Sequence, residues 1–332
     1  MAKTVSAAFS KFLNEEVNLD PSDSSGARNS RAWLRDQLSG FSGKHHDFPF
    51  GYSEKDIDFG SFARRTKIRE LDDVDLVHCI KAEGATYLDY GSYVTLTPAT
   101  GTRLAQFCTD DGLVSSTRVL NKFRKHLDSI PQYRASEVKR NGQAVSLDLM
   151  SYHWSFDIVP GFFTMPEVDG RTYYLIPNGY GHWMKTDPRL DRDRVARINQ
   201  QHSGRVLNIV RIMKYWNQRR TAPVVPSYLF ECLLLNAFES SSSEASESIG
   251  LEVGKALAHI QSGIYTPVRD PKMIEGDLNV LTLDQRRKVS QRAGDDVDRV
   301  VAALESEFDH NDHEKAIGIW GSVFGPSFPQ YG

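Results

Sequence analysis

The stretch 60–77, GSFARRTKIRELDDVDLV, places two aspartates in a segment that alternates like a strand. Side chains two residues apart in an extended strand point to the same face, so Asp73 and Asp75 project together while Val74 and Leu76 face a core. Two carboxylates this close repel unless a cation lies between them, and hard oxygen ligands suit Mg²⁺ or Mn²⁺. The alternation therefore predicts a strand that carries a divalent-metal site.

The letters DDVD occur a second time at 295–298, in RAGDDVDRVVAALESEF. There the apolar residues recur at helical spacing, and Asp295 or Asp296 fits the first turn of a helix, where the helix dipole favours negative charge. We therefore predict that the second copy begins a helix, and the motif alone carries no functional meaning. In the first copy, Asp72 points away from the metal face and is expected to be solvated.

A Gly-Ser pair at a fixed distance upstream distinguishes the first copy. Gly60 and Ser61 are followed by eleven residues and then by Asp73. Glycine lets the backbone approach a phosphate closely, and the serine hydroxyl and nearby N–H groups can donate hydrogen bonds to phosphate oxygens. Together the pair and the strand indicate a site for a nucleoside triphosphate. A second pair, Gly91-Ser92, has no such strand after it and is predicted to be a turn.

Length and composition exclude several classes of protein. A chain of 332 residues favours two lobes, each with its own core. The net charge of −3 argues against a protein whose whole surface binds duplex nucleic acid. It is compatible with a local basic patch. No apolar run reaches the length of a signal-peptide core or a bilayer span. The three scattered cysteines favour core thiols, so we expect a cytoplasmic protein with no membrane contact.

Hydrophobic periodicity predicts a mixed α/β first part and a helical second part. Extended segments are expected between 46 and 80 and again over 144–160, with Pro160 ending the last strand because proline cannot donate to a central ladder. After about 190 the patterns are helical, and the helix in PSYLFECLLLNAF is apolar nearly all round and should be buried. The other predicted helices cover 5–16, 27–41, 116–127, 205–220, 282–306 and 313–323.

The Gly-Ser pair followed by the Asp-x-Asp strand resembles the signature of the nucleotidyltransferase superfamily that includes polymerase β. Those enzymes complete the metal site with a third carboxylate on a later strand. Two aspartates are candidates here, Asp148 in SLDLM and Asp157 in WSFDIVPGF. Since Asp157 lies between apolar residues in a run that closes on Val-Pro, it matches the superfamily pattern better, and Asp148 is the second choice.

Further segments narrow the resemblance to the CD-NTases, the family of cyclic GMP-AMP synthase and DncV. These segments are GSFARRTKI, the DVD strand, FDIVP, GHWMKTDP, RIMKYWN, PSYLFECLLL and the tail WGSVFGPSFP. The resemblance implies an α+β fold, with a polymerase-β-like nucleotidyltransferase core of mixed sheet and flanking helices. A C-terminal helical lobe follows, with the active site in the cleft between them. The implied domains are 1–190, a catalytic core with N-terminal helices, and 191–332, an oligoadenylate-synthetase-like nucleotide-binding lobe.

The resemblance also implies roles for single residues. Gly60 and Ser61 would bind the donor triphosphate, and Asp73, Asp75 and Asp157 would hold two Mg²⁺ ions, for which Mn²⁺ can substitute.

In the helical lobe, Lys214 would reach the triphosphate, Ser227 would hydrogen-bond the phosphates, and Tyr228 would stack on the donor base. The plain alternatives are a solvated lysine, an N-cap serine and a core tyrosine. The cluster DHNDHEK at 309–315 looks like a set of metal ligands, but it precedes an apolar helical run and is better interpreted as a capping segment.

The function implied by the resemblance is the joining of nucleoside triphosphates into a cyclic di- or trinucleotide, with release of pyrophosphate, for anti-phage signalling. Two alternatives stay open: a template-independent nucleotidyltransferase with linear products or an RNA or small acceptor, and an inactive nucleotide-binding scaffold. Nucleoside triphosphates and operon-encoded regulators are the expected partners of a monomer. The ending PSFPQYG also suggests ubiquitin-like conjugation at Gly332, and a frayed terminus explains the same residues.

Overall fold

The computed structural model describes residues 1–219 and 222–332, and the chain divides into two compact units. The sheet unit contains residues 21–64 and 71–192, and the helical unit contains residues 1–20, 65–70 and 193–332. The last boundary lies close to the domain boundary predicted at 190/191. Residues 1–20 and 65–70, by contrast, group with the C-terminal helices.

The helices occur in both units and have the following bounds. They are α1 Val5–Phe12, α2 Pro21–Lys44, α3 Gly60–Ala63, α4 Ser116–Asp128, α5 Pro188–Gln201, α6 Val206–Gln218, α7 Ser227–Ser240, α8 Ile249–Gly263, α9 Leu283–Phe308 and α10 His313–Phe324. A π-helical turn, Leu13–Val17, continues α1. Each predicted helix is present within the described residues, and residue 220, the last of the predicted helix 205–220, lies outside them. The helices α3, α5 and α8 were not predicted.

The strands all belong to the sheet unit. Their bounds are β1 Ile57–Phe59, β2 Asp73–Cys79, β3 Thr86–Asp89, β4 Val94–Thr97, β5 Glu137–Asn141, β6 Ala144–Asp148, β7 Ser155–Phe163, β8 Tyr174–Pro177 and β9 Trp183–Thr186. They form a mixed sheet in the order β1-β2-β7-β8-β9-β4-β3, and β6 pairs with β5 and β7. The strands β2 and β7 run parallel, and their other neighbours run antiparallel. This α+β architecture confirms the predicted fold class.

The prediction that Pro160 ends its strand is wrong, because β7 continues to Phe163. On one flank, β7 pairs with β6 up to Ile158 and then with β8 from Phe162 onward. Pro160 lies where that flank changes from one neighbour to the other. A missing N–H therefore removes no ladder bond to either β6 or β8, which explains why proline is tolerated inside a central strand.

Aromatic side chains fill much of the core of both units. In the sheet unit, the Phe48 ring packs between Phe41 of α2 and Phe123 of α4, with centroid distances of 5.1 and 4.8 Å. In the helical unit, the Phe9 ring of α1 meets Trp320 of α10 at 4.9 Å. Burying each such ring stabilises the fold by roughly 1.5–3 kcal/mol. The N-terminal helix is thus part of the core of the helical unit.

The second DDVD copy is helical, as predicted, but the prediction that it begins the helix is wrong. The helix α9 starts at Leu283, after a capping box formed by Thr282 and Gln285. Asp296 lies in its middle, 2% exposed, and accepts a hydrogen bond of 2.7 Å from the indole N–H of Trp216. The position of Asp296 is therefore explained by its contact with Trp216 and not by the helix dipole. The cluster at 309–315 does cap a helix, since the Asp312 side chain accepts from Lys315 N.

The two ends of the chain pair with each other inside the helical unit. Ala2 and Tyr331 form a parallel bridge, and Ala2 N donates to Gln330 O at 2.9 Å. Gly332 N in turn donates to Ala2 O at 3.3 Å. The final residues are therefore hydrogen-bonded and not frayed. None of the helices over 1–219 and 222–332 combines the length and the apolar character that crossing a bilayer requires.

Candidate active site

The sheet brings the predicted metal-binding aspartates onto one face. Val74 and Leu76 are fully buried, whereas Asp73 and Asp75 are half-buried, as the alternation predicts. In the parallel pair of β2 and β7, Asp75 lies directly opposite Asp157. Directly paired residues project to the same face of a sheet, with strands about 4.8 Å apart. The three carboxylates therefore share a face at adjacent positions.

The sheet also distinguishes Asp157 from Asp148, the second candidate for the third carboxylate. Asp157 accepts a hydrogen bond of 2.5 Å from Ser146 Oγ, which lies opposite it on β6. Asp148 lies one strand farther from β2, and its carboxylate pairs with Lys139 Nζ at 2.9 Å. The geometry thus favours Asp157, which lies beside Asp75 and is oriented by Ser146. Asp72 is exposed, as predicted.

Gly60 and Ser61 open the single-turn helix α3 at the end of β1. Gly60 has φ +71°, a left-handed conformation, and a β-carbon at this position would overlap the carboxylate of Asp75. Only glycine fits here on both counts. The Gly-Ser pair and the Asp-x-Asp strand, eleven residues apart in the sequence, are consequently in direct contact. By comparison, Gly91 lies in an exposed turn, as predicted, with open space around its Cα.

Two arginines from α2 hold the strand that leads into this turn. Arg31 Nη2 lies 2.9 Å from one oxygen of Asp58, and Arg35 Nη2 lies 2.5 Å from the other. The guanidinium of Arg31 also stacks on the Phe62 ring at 5.4 Å. Burial lowers the pKa of Arg31, which the Asp58 charge partly opposes. These arginines were not predicted as partners of Asp58. The pattern of a helix does not show that Arg35 contacts a residue 23 positions away in the sequence.

The donor set suits a hard divalent cation. Carboxylate oxygens are the ligands that Mg²⁺ and Mn²⁺ prefer, and the Asp75 carboxylate fits into the space that Gly60 leaves without a side chain. Among the residues described, no group of three His, Cys, Asp or Glu side chains has the geometry of a completed metal site. The aspartates nevertheless share a face, and Asp75 and Asp157 share a register.

Lys214 in the helical unit is neither a solvated lysine nor exposed on a polar stripe. Its side chain is 7% exposed, and Nζ lies 3.6 Å from Oε2 of Glu231, which is 1% exposed. Arg211, one turn earlier on α6, donates to Asn18 Oδ1 at 2.6 Å. Burial lowers the pKa of Arg211 to about 10, and the nearby charge of Arg65 adds to the effect. This part of the helical unit therefore carries several cationic groups.

Ser227 is the first residue of α7 and does not cap it. The N-cap position belongs to Pro226, which makes no side-chain capping bond. Ser227 is exposed. The interpretation of Ser227 as an N-cap is therefore wrong, and a phosphate contact stays a prediction. The helix itself is buried along most of its length, as its apolar character predicts.

Tyr228 is half-buried and belongs to a polar network that the sequence analysis did not find. Lys272 Nζ donates to the Tyr228 hydroxyl at 2.6 Å and lies 4.3 Å from the centre of its ring. Asp270, fully buried at its side chain, pairs with Lys272 at 2.8 Å. Burial by itself raises the pKa of Asp270, but hydrogen bonds from Lys272 and from the backbone N–H of Glu275 outweigh it and lower the pKa. Tyr228 is thus fixed by a buried ion pair.

Comparisons with known proteins agree with this architecture. The chain is 38% identical over 333 residues to a protein of Bacillus cereus (strain VD146) named a probable cyclic nucleotide synthase, covering 100% of this chain and 99% of the relative. It is 22% identical to a cyclic AMP-AMP-AMP synthase of Escherichia coli (strain MS 115-1), covering 96% of each chain. No protein-family model matches the sequence.

Among solved structures, the CdnC protein of E. coli MS115-1, determined in a complex with HORMA-deltaN, has the same fold. The TM-score is 0.68 at 19% sequence identity, and 97% of both chains is covered. The fold is therefore that of a nucleotidyltransferase of the polymerase-β type. Given the full-length identity of 38% to the B. cereus relative, the chain belongs to the CD-NTase family of cyclic nucleotide synthases, as the resemblance indicated.

Proposed function

We propose that this nucleotidyltransferase joins nucleoside triphosphates into a cyclic di- or trinucleotide by a Mg²⁺-dependent reaction that releases pyrophosphate. Family membership supports the synthesis of a cyclic nucleotide. The observation that carries the chemistry is the direct pairing of Asp75 with Asp157, on the face that Asp73 shares. Three carboxylates at one position are suited to two divalent cations, because they offset most of the four positive charges.

In the proposed site, Asp73, Asp75 and Asp157 would hold the metal ions, with Mn²⁺ as a substitute for Mg²⁺. When bound, the ions would lower the pKa of the acceptor ribose hydroxyl and neutralise charge on the pyrophosphate group. The hydrogen bond from Ser146 fixes the orientation of Asp157. Gly60 leaves space for the Asp75 carboxylate. The chain's own residues thus pre-organise the carboxylates before any ligand binds.

Several of the residues named above would hold the donor nucleotide. The Ser61 hydroxyl and neighbouring backbone N–H groups would donate to its phosphate oxygens. Lys214 and Ser227 would contact the triphosphate, and Tyr228 would stack on the base. The attacking ribose oxygen forms a bond to the α-phosphorus while the bond to the bridging oxygen breaks, and pyrophosphate leaves. A second round within the linear product closes the ring.

The experiment that tests the function is incubation of the purified protein with all four nucleoside triphosphates and Mg²⁺ or Mn²⁺. Treatment with phosphatase and mass spectrometry follow. Phosphatase-resistant products with the mass of a cyclic di- or trinucleotide are expected. A protein with Asp73→Ala and Asp75→Ala should make none. Linear products from which phosphatase removes the terminal phosphates would instead support a template-independent nucleotidyltransferase, and identical behaviour of both proteins would support a scaffold.

We further propose that the product serves as a second messenger in anti-phage defence and that operon-encoded proteins regulate its synthesis. The similarity to CdnC, which was solved in a complex with HORMA-deltaN, supports a search for such a regulator. Ubiquitin-like conjugation at Gly332 is a second proposed control. Because Gly332 N is hydrogen-bonded to Ala2 O, conjugation would require the paired ends to separate. Deletion of Tyr331 and Gly332 should abolish this control in cells that carry the operon.

A further inference from the structure

Glu231 is a buried carboxylate to which the proposed reaction gives no role. It lies on α7, one turn after Tyr228, and is 1% exposed. An ionised carboxylate at this depth is costly unless other groups bind it. Its Oε2 atom accepts a hydrogen bond of 2.7 Å from Thr66 Oγ1 and lies 3.6 Å from Lys214 Nζ. Both contacts are made to the same carboxylate oxygen.

Thr66 is itself fixed by the segment around it. It is fully buried and lies within 65–70, the segment that packs in the helical unit. Two residues later, Ile68 joins the hydrophobic core of that unit. Arg69 follows, donating its backbone N–H to Val17 O at 3.0 Å and its side-chain Nε to Asn18 O at 3.0 Å. The Thr66 hydroxyl is consequently a donor with a fixed position, and it restricts the rotamer of Glu231.

Lys214 has a long flexible stem, and its ammonium is a compact point charge that can take many positions. If such a group is already restricted before binding, less conformational entropy is lost when the ligand binds, and the affinity is higher. A carboxylate beside the ammonium supplies this restriction. The carboxylate is in turn oriented by Thr66.

We propose that Glu231 is a positioning residue for the donor triphosphate, holding the Lys214 ammonium in place while Thr66 orients the carboxylate. The inference rests on the proposed function, since it takes Lys214 as the lysine that binds the triphosphate. Glu231 itself does not touch the nucleotide. The segment between the Gly-Ser pair and the Asp-x-Asp strand thereby acts on nucleotide binding through Thr66.

The test is isothermal titration calorimetry with a non-hydrolysable ATP analogue and Mg²⁺, with uncharged adenosine as a second probe. Glu231→Gln keeps the shape of the side chain and removes its charge. The variant should bind the ATP analogue about tenfold more weakly, because the ion pair that holds the Lys214 ammonium in place is lost. Its affinity for adenosine should be unchanged. In a Lys214→Met background, Glu231→Gln should add no further loss, because the two residues act as one unit.

The helical unit offers a matched control in Glu252, on α8. This glutamate is 4% exposed at its side chain and pairs with Lys255 at 2.7 Å, so it is buried and ion-paired as Glu231 is. Glu252→Gln should lower the stability to urea without changing either affinity. Thr66→Val, which removes the hydroxyl, should weaken binding of the ATP analogue about threefold, and Thr66→Ser should restore it. The valine variant also provides a test if Glu231→Gln does not fold.

Several results would overturn the proposal. One is a Glu231→Gln protein that binds the ATP analogue as the wild type does and is merely less stable, as Glu252→Gln is expected to be. Another is a loss of the same size in the Lys214→Met background. If the wild-type protein bound no non-hydrolysable analogue of any of the four nucleoside triphosphates, the proposed function would fail first and the role of Glu231 with it. Wild-type binding with an unaffected variant would refute only the role of Glu231.

Discussion

Asp75 and Asp157 lie directly opposite each other on the parallel strands β2 and β7, and Ser146 holds Asp157 by a hydrogen bond. They are 82 positions apart in the sequence, so only the sheet register brings them together. Parallel pairing places equivalent side chains on one face. The relationship makes Asp157 a better third carboxylate than Asp148, which pairs with Lys139.

Substitution of the two candidate aspartates should separate their roles. Asp157→Asn should lower the rate of product formation by about 1000-fold, because several kcal/mol of charge stabilisation in the transition state are lost. Asp148→Asn removes only an ion pair whose partners are 50% and 41% exposed, and it should change the rate less than about twofold. Initial rates of pyrophosphate release measure both. Equal losses in the two variants would contradict the assignment.

Gly60→Ala should disrupt the contact between the Gly-Ser turn and the Asp-x-Asp strand β2. Its added methyl group would overlap the Asp75 carboxylate, and a displacement of about 1 Å in an active site can reduce activity about 100-fold. The control is Gly91→Ala, since Gly91 also has a positive φ, +82°, and its β-carbon would meet nothing within 4 Å. Both variants carry a left-handed backbone penalty of about 1–2 kcal/mol. Because only Gly60→Ala adds a steric clash to this penalty, we expect it to lose more stability in urea than Gly91→Ala, and only Gly60→Ala to lose most of its activity.

Two substitutions of Tyr228 should distinguish base stacking from the hydrogen bond to Lys272. Tyr228→Ala removes the ring and should weaken binding of an ATP analogue about tenfold or more, because stacking on a base contributes about 1–3 kcal/mol. Tyr228→Phe keeps the ring and loses the hydroxyl that accepts from Lys272. Its affinity should stay within about threefold of the wild type, while its stability falls by about 1 kcal/mol. Equal affinities of both variants in calorimetry would exclude stacking.

The local features of the site were predictable from the sequence. Alternation with a period of two placed Asp73 and Asp75 on one face, and the structure confirms the strand and its burial pattern. Gly60 stood out because glycine is required where a backbone comes close to another group. Both signals lie within a short stretch of sequence. Such signals do not depend on how distant segments pack.

The partners of the site residues were not predictable in the same way. The sequence alone does not show that Ser146 contacts Asp157, because this contact depends on the register of β6 against β7. Glu231 and Thr66 are separated by 165 positions, and their hydrogen bond depends on the packing of residues 65–70 in the helical unit. The alternative of a solvated Lys214 is wrong for the same reason. Long-range packing decides which polar residues are buried. The periodicity of a single segment cannot predict that burial.

The buried acid of α9 provides a prediction about stability. Asp296→Ala should lower the free energy of unfolding by about 1–3 kcal/mol, because the buried indole N–H of Trp216 loses its acceptor. Arg299, the other partner of Asp296, is 49% exposed and can be solvated instead. Asp295→Ala alters the exposed neighbour in the same motif and should change the free energy by less than about 0.5 kcal/mol. Urea denaturation followed by tryptophan fluorescence measures both. A destabilisation by Asp295→Ala as large as that by Asp296→Ala would show that the helix position, and not the Trp216 contact, explains the acid.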